Sequence, residues 1–241
     1  MGDRIRASAH LARVYELLIE AYGEPKNRPD YNPLGGLVGT ILSQHTSDIN
    51  SGRAYAQLVQ RFSSWEEVRD ADTDQVAKEI RSGGLANVKA PRIQIALDTL
   101  TEEQQQQGGK KALAEYLYDE LKKRTPEEGW FYLRHLPGVG PKTAACVMMF
   151  NMNESVMPID THVHRVSSRL GLIGPKVSAD QAHLVFAKIV PPEWVYALHV
   201  NLIRHGRQIC HAQRPKCDHC PLYRECAYVG SVNPQVTDIV G

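Results

Sequence analysis

Residues 136–145 read Leu-Pro-Gly-Val-Gly-Pro-Lys-Thr-Ala-Ala and contain the most informative turn of the 241-residue chain. Two glycines one residue apart, Gly138 and Gly140, predict a tight turn whose backbone can approach another molecule closely. Pro141 suits the first position of a helix, because it lacks the N–H that would be unsatisfied there. A turn that opens a helix directs free N–H groups and the positive end of the helix dipole outward. The stretch therefore predicts an anion site, and phosphate is the expected anion.

Two side chains near this turn have the chemistry of a catalytic pair. Lys142 falls in the first turn of the predicted helix, where the positive dipole end favours the neutral, nucleophilic amine. Asp160 follows in the sequence Ile-Asp-Thr-His and suits the N-cap of another helix, which would fix its carboxylate. The simpler role for Lys142 is a contact to the bound phosphate without any chemistry.

Together, these residues resemble the endonuclease III branch of the helix-hairpin-helix Gly/Pro-Asp superfamily of DNA glycosylases. That family's motif reads Leu-Pro-Gly-Val-Gly-x-Lys-Thr-Ala and then Val/Ile-Asp-Thr-His, and the resemblance extends over residues 34–228. It implies an all-α fold of two helical domains with a DNA-binding cleft between them. The expected domains are a six-helix barrel with the helix-hairpin-helix, residues 30–154, and an iron–sulfur cluster domain built from residues 1–29 and 155–241.

The resemblance also implies an activity, that of a bifunctional DNA glycosylase/AP lyase of base excision repair. Such an enzyme extrudes a damaged nucleotide from the duplex before it acts. Lys142 would excise oxidised pyrimidines, such as thymine glycol, through a Schiff base and would cut abasic sites by β-elimination. Asp160 would stabilise positive charge as the base leaves, while Gly138, Val139 and Gly140 bind DNA. The expected partner is double-stranded DNA with damaged bases or abasic sites, and the expected state is a monomer.

Residues 42–48, Leu-Ser-Gln-His-Thr-Ser-Asp, resemble the family segment Leu-Ser-Ala-Gln-Ala-Thr-Asp. In the family, the glutamine fills the hole left by the extruded base. Aligned without gaps, that glutamine falls on His45, and Gln44 replaces an alanine, so either side chain could fill the hole. The alternative is a polar helix end in which Asp48 helps to cap the next helix.

Leu85 is the second candidate for contact with bases. The sequence Gly-Gly-Leu-Ala-Asn at residues 83–87 resembles the family turn Gly-Leu-x-Asn, whose apolar side chain wedges between bases of the opposite strand. Leu85 could equally be an ordinary apolar residue that packs at the start of a helix.

Four of the five cysteines lie within seventeen residues, at Cys210, Cys217, Cys220 and Cys226. Four thiolates in one short segment fit a structural zinc ion or an iron–sulfur cluster. Zinc sites usually use two Cys-x2-Cys pairs, and only one occurs here. The spacing Cys-x6-Cys-x2-Cys-x5-Cys is that of the endonuclease III loop and implies a [4Fe–4S] cofactor. The remaining Cys146 is expected to be a small buried apolar residue.

Hydrophobic periodicity predicts helices and no strands, because no stretch alternates apolar and polar residues long enough for a strand. The helix predicted at residues 130–135 is expected to be the first helix of the helix-hairpin-helix. The predicted helices are 7–22, 34–49, 51–61, 65–70, 73–81, 87–105, an amphipathic stretch around 113–121, 130–135, 162–170, 179–189 and 193–209.

Composition sets weaker bounds on function. The net charge of +1 does not by itself indicate nucleic-acid binding, although basic residues are in excess from Trp130 onward. No apolar run approaches the roughly 20 residues that span a membrane. The first residues lack the apolar segment of a signal peptide. We therefore expect an intracellular, cytoplasmic protein associated with the nucleoid.

Three other functions fit parts of the sequence. An adenine-excising mismatch glycosylase typically lacks a lysine at the Lys142 position and has a further C-terminal domain. A monofunctional glycosylase for uracil, mispaired thymine or alkylated bases would release bases without lyase activity. A non-catalytic DNA-binding module with structural zinc would contain no iron and form no Schiff base.

Overall fold

The computed structural model describes residues 8–232, with side chains described up to residue 229. Within those residues the secondary structure is helical, with no β-strand. The chain divides into two compact units, one of Arg28–Glu154 and one that joins the residues up to Asn27 with those from Ser155 onward. The prediction of an all-α fold with two helical domains is confirmed. Residues 1–7 and 233–241 of the predicted domain division lie outside the described residues.

The Arg28–Glu154 unit is a cluster of helices around an aliphatic core. Helices α2 (Pro33–Ser43) and α6 (Ala86–Gln106) supply much of that core, including Leu37, Ile41, Ile93 and Leu97, each at most 1% exposed. In chain order, after α1 of the other unit, its helices are α2 Pro33–Ser43, α3 Asp48–Arg61, α4 Trp65–Asp70, α5 Thr73–Glu79, a 3₁₀ turn Arg81–Gly83, α6 Ala86–Gln106, α7 Leu113–Lys122, α8 Pro126–Arg134, α9 Pro141–Cys146 and a π-helical turn Val147–Asn151.

Helix α2 is shorter than the sequence predicts. It ends at Ser43 rather than at residue 49, and a new helix begins at Asp48. The side chain of Ser47 accepts a hydrogen bond from the N–H of Asn50, so Ser47, and not Asp48, caps α3. The polar residues between the two helices therefore form a loop instead of a helix end.

Helix α8 also differs from its prediction, because it begins at Pro126 instead of Trp130. The Thr125 hydroxyl accepts from the N–H of Glu128, whose carboxylate accepts from the N–H of Thr125. This capping box, with proline at the first helical position, fixes the helix start one turn earlier than the apolar pattern indicates.

The second unit packs α1 and α10 against α12. Its apolar residues follow the expected helical spacing, as Leu11, Val14 and Leu18 of α1 are all buried. The predicted helix from residue 193 is split into a 3₁₀ turn and α12, and the first residue of the predicted helix 7–22 is outside the described residues. The helices are α1 Ala9–Tyr22, α10 Thr161–Leu170, α11 Ala179–Ile189, α12 Val195–Gln208 and α13 Ala227–Val232, with 3₁₀ turns at Pro192–Trp194, Cys217–His219 and Tyr223–Glu225.

Across residues 8–232, no helix is both long enough and apolar enough to pass through a bilayer.

Candidate functional site

The turn between α8 and α9 has the glycine geometry that its sequence predicts. Gly138 has φ of +79°, a conformation that glycine adopts without steric cost. Gly140 differs, because its φ is −83° and a Cβ built on it would meet no atom within 4 Å. Nothing inside the described part of the protein therefore requires glycine at residue 140. Close approach of another molecule would require it.

The backbone N–H groups of the turn are unequally engaged. Val139 donates to the Leu136 carbonyl at 3.0 Å, and its side chain is buried. Gly138 and Gly140 are exposed, and their N–H groups have no hydrogen-bond partner among the described residues. Trp130 of α8 anchors the turn, because its indole N–H donates to the Pro141 carbonyl at 2.9 Å. Free donors on an anchored turn are suited to bind an anion.

Two cations flank this turn. Lys142, the second residue of α9, is exposed and has no ion-pair or hydrogen-bond partner in the described residues, whereas its neighbour Thr143 is buried. Arg92 of α6 is exposed and lies beside Gly138, where a built Cβ would be 3.6 Å from its Cδ. Sequence analysis did not identify Arg92, since it lies far from the turn in the chain.

The two candidate residues in the loop between α2 and α3, Gln44 and His45, have different surroundings. The Gln44 amide donates to the Thr143 hydroxyl at 3.4 Å, so this side chain is turned toward α9. His45 is exposed, makes no hydrogen bond within residues 8–229, and has φ of +56°. A non-glycine residue in the left-handed region is strained by about 1–2 kcal/mol. Strain of this kind is commonly found at functional positions.

Leu85 has the same two properties as His45. It follows the 3₁₀ turn, has φ of +51°, and leaves 54% of its surface exposed. It therefore does not pack as an ordinary apolar residue at the start of α6. An exposed leucine in a strained backbone conformation has no evident structural benefit, and this favours contact with another molecule.

Lys89 is a further residue that sequence analysis did not identify. It is 1% exposed, and its ammonium donates to the carbonyls of Leu42 and Gly83 at 2.7 and 2.8 Å. Burial lowers the pKa of this amine. Lys89 lies four residues before Ile93, on the apolar face of α6, and that spacing was available as a signal for a buried lysine.

Asp160 lies in the other unit, and its surroundings fix its position. It caps α10, with its carboxylate accepting from the N–H of Val163 at 2.7 Å, and the side chain remains partly exposed. Two buried histidines hold the residues that precede it. His199 Nδ1 contacts the Pro158 carbonyl at 2.9 Å, and His183 Nε2 accepts from the N–H of Ile159 at 3.2 Å. The carboxylate is therefore presented from a rigid segment.

The four clustered cysteines line one cavity, and none of them forms a disulfide bond. Burial, followed by the neighbouring thiols, raises the pKa of Cys220 to about 11, and burial also raises the pKa of Cys217. No three His, Cys, Asp or Glu side chains in the described residues are arranged to hold a single metal ion. The donor set itself, four thiols around one cavity, fits a multinuclear iron–sulfur group.

Two nitrogen-bearing side chains, from α10 and α12, lie against these sulfur atoms. Arg169 of α10 donates to Cys210 Sγ at 3.2 Å. His205 Nε2 lies 3.6 Å from Cys220 Sγ, and its Nδ1 lies 3.0 Å from the Tyr22 hydroxyl. Burial lowers the pKa of His205 to about 4, so the ring is neutral at physiological pH and can donate to only one side. Hydrogen bonds to sulfur are typical of the surroundings of metal-bound thiolates.

Comparison with known protein families places most of the chain in one group. Residues 38–192 match the family described as HhH-GPD superfamily base excision DNA repair protein. Endonuclease III of Rickettsia felis is 31% identical over 220 residues, which cover 91% of this chain and 94% of that protein. A candidate DNA glycosylase of Arabidopsis thaliana is 36% identical over 199 residues, covering 78% of this chain and 64% of the plant protein. This chain thus spans less than two thirds of the plant protein's length.

Solved structures give the same relationship. A trapped covalent intermediate of endonuclease III and DNA has a TM-score of 0.72 and 26% sequence identity to this chain. The similar region covers 92% of this chain and 96% of that one. A thermostable thymine-DNA glycosylase, at 18% identity and the same TM-score, shares the fold.

Proposed function

The chain belongs to the HhH-GPD superfamily of base excision DNA repair proteins, and we propose that it is a bifunctional DNA glycosylase/AP lyase that acts on oxidised pyrimidines and abasic sites in double-stranded DNA. Resemblance in sequence and fold to endonuclease III supports the enzyme class. The observation that carries the proposal is Lys142, an exposed lysine directly after a turn with two N–H groups, where neither the lysine nor these N–H groups have a partner among residues 8–229. A nucleophile needs this combination of access and an anchored substrate phosphate.

In the proposed reaction, the neutral amine of Lys142 attacks C1′ of an extruded nucleotide. The glycosidic bond breaks, and the base leaves with the electron pair and takes up a proton. The sugar ring opens to an imine between C1′ and Nζ. Loss of the 2′ proton then expels the 3′ phosphate, which cuts the strand, and water hydrolyses the imine to free Lys142.

Asp160 is proposed to stabilise positive charge on the sugar as the base leaves and to help in proton transfer. Its hydrogen bond to the Val163 N–H and the histidine contacts to residues 158 and 159 support this role, because a fixed carboxylate needs no reorganisation during the reaction.

DNA would be bound by three features of the Arg28–Glu154 unit. The N–H groups of Gly138 and Gly140 bind a backbone phosphate, and Arg92 adds a positive charge beside them.

We propose that His45, rather than Gln44, fills the hole left by the extruded base. Gln44 is hydrogen-bonded to Thr143, whereas His45 has no hydrogen-bond partner in the described chain. Leu85 wedges into the opposite strand. The protein is proposed to bind as a monomer.

We propose that Cys210, Cys217, Cys220 and Cys226 hold a [4Fe–4S] cluster. When bound, the cluster crosslinks the loop through four thiolates and can carry one electron. Arg169 donates to Cys210 Sγ and so balances its negative charge, and His205 Nε2 would do the same for Cys220 Sγ in the tautomer that carries its proton on Nε2. Purified protein should contain about four irons per chain. Cys217→Ser should lose the iron while Cys146→Ser, the matched control, keeps it. Stoichiometric zinc without iron after anaerobic purification would contradict this assignment.

The activity is tested with duplexes that contain thymine glycol, an abasic site or uracil, each with and without borohydride. We expect strand cleavage at thymine glycol and at the abasic site, and a borohydride-trapped adduct on both. Base release without cleavage or adduct would place the protein among monofunctional glycosylases. Tight binding without base release would indicate a DNA-binding module.

A further inference from the structure

Two exposed loop tips of the Arg28–Glu154 unit, His45 and Leu85, share a strained backbone conformation. Such a conformation persists only where the surrounding structure fixes it. The loop of His45 begins where α2 ends, and Leu85 follows the 3₁₀ turn that ends at Gly83. A contact shared by the two loop origins would account for both conformations together.

Lys89 provides that contact at the origin of each loop. Its ammonium donates one hydrogen bond to the Leu42 carbonyl, three residues before His45, and another to the Gly83 carbonyl, two residues before Leu85. Both acceptors lie at the C-terminal ends of helical segments, where carbonyls lack intrahelical partners and the dipole is negative. One side chain thus joins two segments that are separated by about forty residues in the chain.

The charge surroundings of Lys89 favour a fixed geometry. No carboxylate forms an ion pair with it in the described chain, and only 1% of its surface is exposed. A buried ammonium without a counter-ion is costly unless its hydrogen bonds are kept. Neither carbonyl can therefore move away from Nζ without a penalty, and the separation between the two loop origins is held nearly constant.

We propose that Lys89 is a positioning residue, which sets the distance between the base-hole filler His45 and the wedge Leu85 so that both enter the duplex together. The inference rests on the proposed function, since it assumes that the two tips enter DNA. It goes further by making their action interdependent. When one of these two side chains has entered the duplex, the other already lies at its base step, and the protein need not change conformation to place it.

A merely structural lysine would give a different result from a positioning one. Loss of a structural lysine lowers stability and reduces all binding equally. Loss of a positioning lysine leaves binding to undamaged duplex unchanged and uncouples the two tips. Double-mutant cycles separate the cases, because residues linked through one network give non-additive effects and independent residues give additive ones.

The experiment measures binding to two duplexes, one undamaged and one with a tetrahydrofuran abasic analogue that cannot be cleaved. His45→Ala, Leu85→Ala and the double variant are compared in the wild-type protein and in Lys89→Met. Lys122→Met, the same substitution at an exposed lysine of α7, is the matched control. Lys89→Gln, which keeps one donor, is measured in parallel and replaces Lys89→Met if that variant does not fold.

We expect Lys89→Met to lower the preference for the abasic analogue by about tenfold, within the range known for misplacements of about 1 Å. The two tips should be coupled with Lys89 present and additive without it. An unchanged preference and unchanged coupling in folded Lys89 variants would overturn the proposal, as would additive tips in the wild-type protein. The analogue requires no chemistry, so a wild-type protein that shows coupling but cuts no abasic DNA would refute the proposed function alone.

Discussion

Helices α6 and α9 begin in similar ways but use their first lysines in opposite ways. Each helix follows a glycine-containing turn, and each has a lysine within its first four residues. Lys89 is buried and bonded to two carbonyls, whereas Lys142 is exposed and has no partner in the described residues. The difference comes from the helix face. Lys89 shares the apolar face of α6 with Ile93, while the buried face of α9 begins only at Thr143.

This comparison shows how position on a helix decides the use of a lysine. A buried lysine whose amine donates to two fixed carbonyls connects the segments that carry them. An exposed amine at a helix start is accessible to another molecule. The same side chain therefore supports structure in one helix and is available for chemistry in the other.

The largest expected effect separates the two lysines by activity. Lys142→Gln should reduce strand cleavage by at least about a thousandfold, the scale of loss when an enzyme's nucleophile is removed. Its thermal midpoint and its affinity for abasic DNA should stay close to those of the wild-type protein, because the side chain is exposed and has no hydrogen-bond or ion-pair partner within the described residues. Single-turnover cleavage and thermal unfolding measure the two quantities. A large fall in stability would show that Lys142 also has a structural role.

At Lys89 we expect the opposite pattern, in which stability falls strongly and strand cleavage falls little. Lys89→Met leaves the Leu42 and Gly83 carbonyls buried without their donor, at about 1–3 kcal/mol for each. Urea unfolding should show a total loss of about 2–6 kcal/mol for the two carbonyls, with Lys122→Met unchanged. Strand cleavage at an abasic site should fall far less than in Lys142→Gln. Equal stability of the two Lys→Met variants would contradict a bonding role for Lys89.

A third effect compares the two glycines before α9. Gly138→Ala should destabilise the protein by about 1–2 kcal/mol, because alanine is strained at positive φ. Gly140→Ala should not affect stability, since its φ is ordinary and there is room for a methyl group. It should weaken binding to damaged and undamaged duplexes alike by about tenfold, which corresponds to one hydrogen bond to a charged group. Unchanged binding to undamaged DNA would remove the phosphate site.

The smallest effect concerns strain at His45. His45→Gly should relieve the left-handed conformation and leave stability unchanged or raised by up to about 1 kcal/mol. Excision from a base-paired duplex should fall more than cleavage at an abasic site, where less stacking is lost. Gln44→Ala is the control and should affect excision less. If Gln44→Ala has the larger effect, the base hole is filled by Gln44.

Much of this structure could be predicted because local signals were strong. Apolar periodicity and caps predicted most helices, and the cysteine spacing predicted the candidate ligands of the metal group. The end of α2 was missed because Ser47 and Asp48 both suit a helix cap and the apolar Ile49 extends the pattern, although Ile49 is 76% exposed. A single sequence does not distinguish two adjacent capping residues.

The remaining features depend on contacts between distant parts of the chain. The strained backbone at His45 and Leu85 is fixed by neighbouring segments and has no sequence signature. Arg169 and His205 reach the cysteine loop from α10 and α12, and no local pattern indicates those contacts. Lys89 is an intermediate case, because its place on the apolar face of α6 was visible while its two acceptors were not.

The most direct test of the proposal that Lys142 is the nucleophile is to locate the covalent adduct. Wild-type protein is incubated with an abasic duplex and borohydride, digested with protease and nuclease, and analysed by mass spectrometry. The reduced sugar remnant should be attached to Lys142 alone, and no adduct should form with Lys142→Gln. Attachment to another lysine, or an adduct of equal yield in Lys142→Gln, would contradict the assignment of Lys142 as the nucleophile.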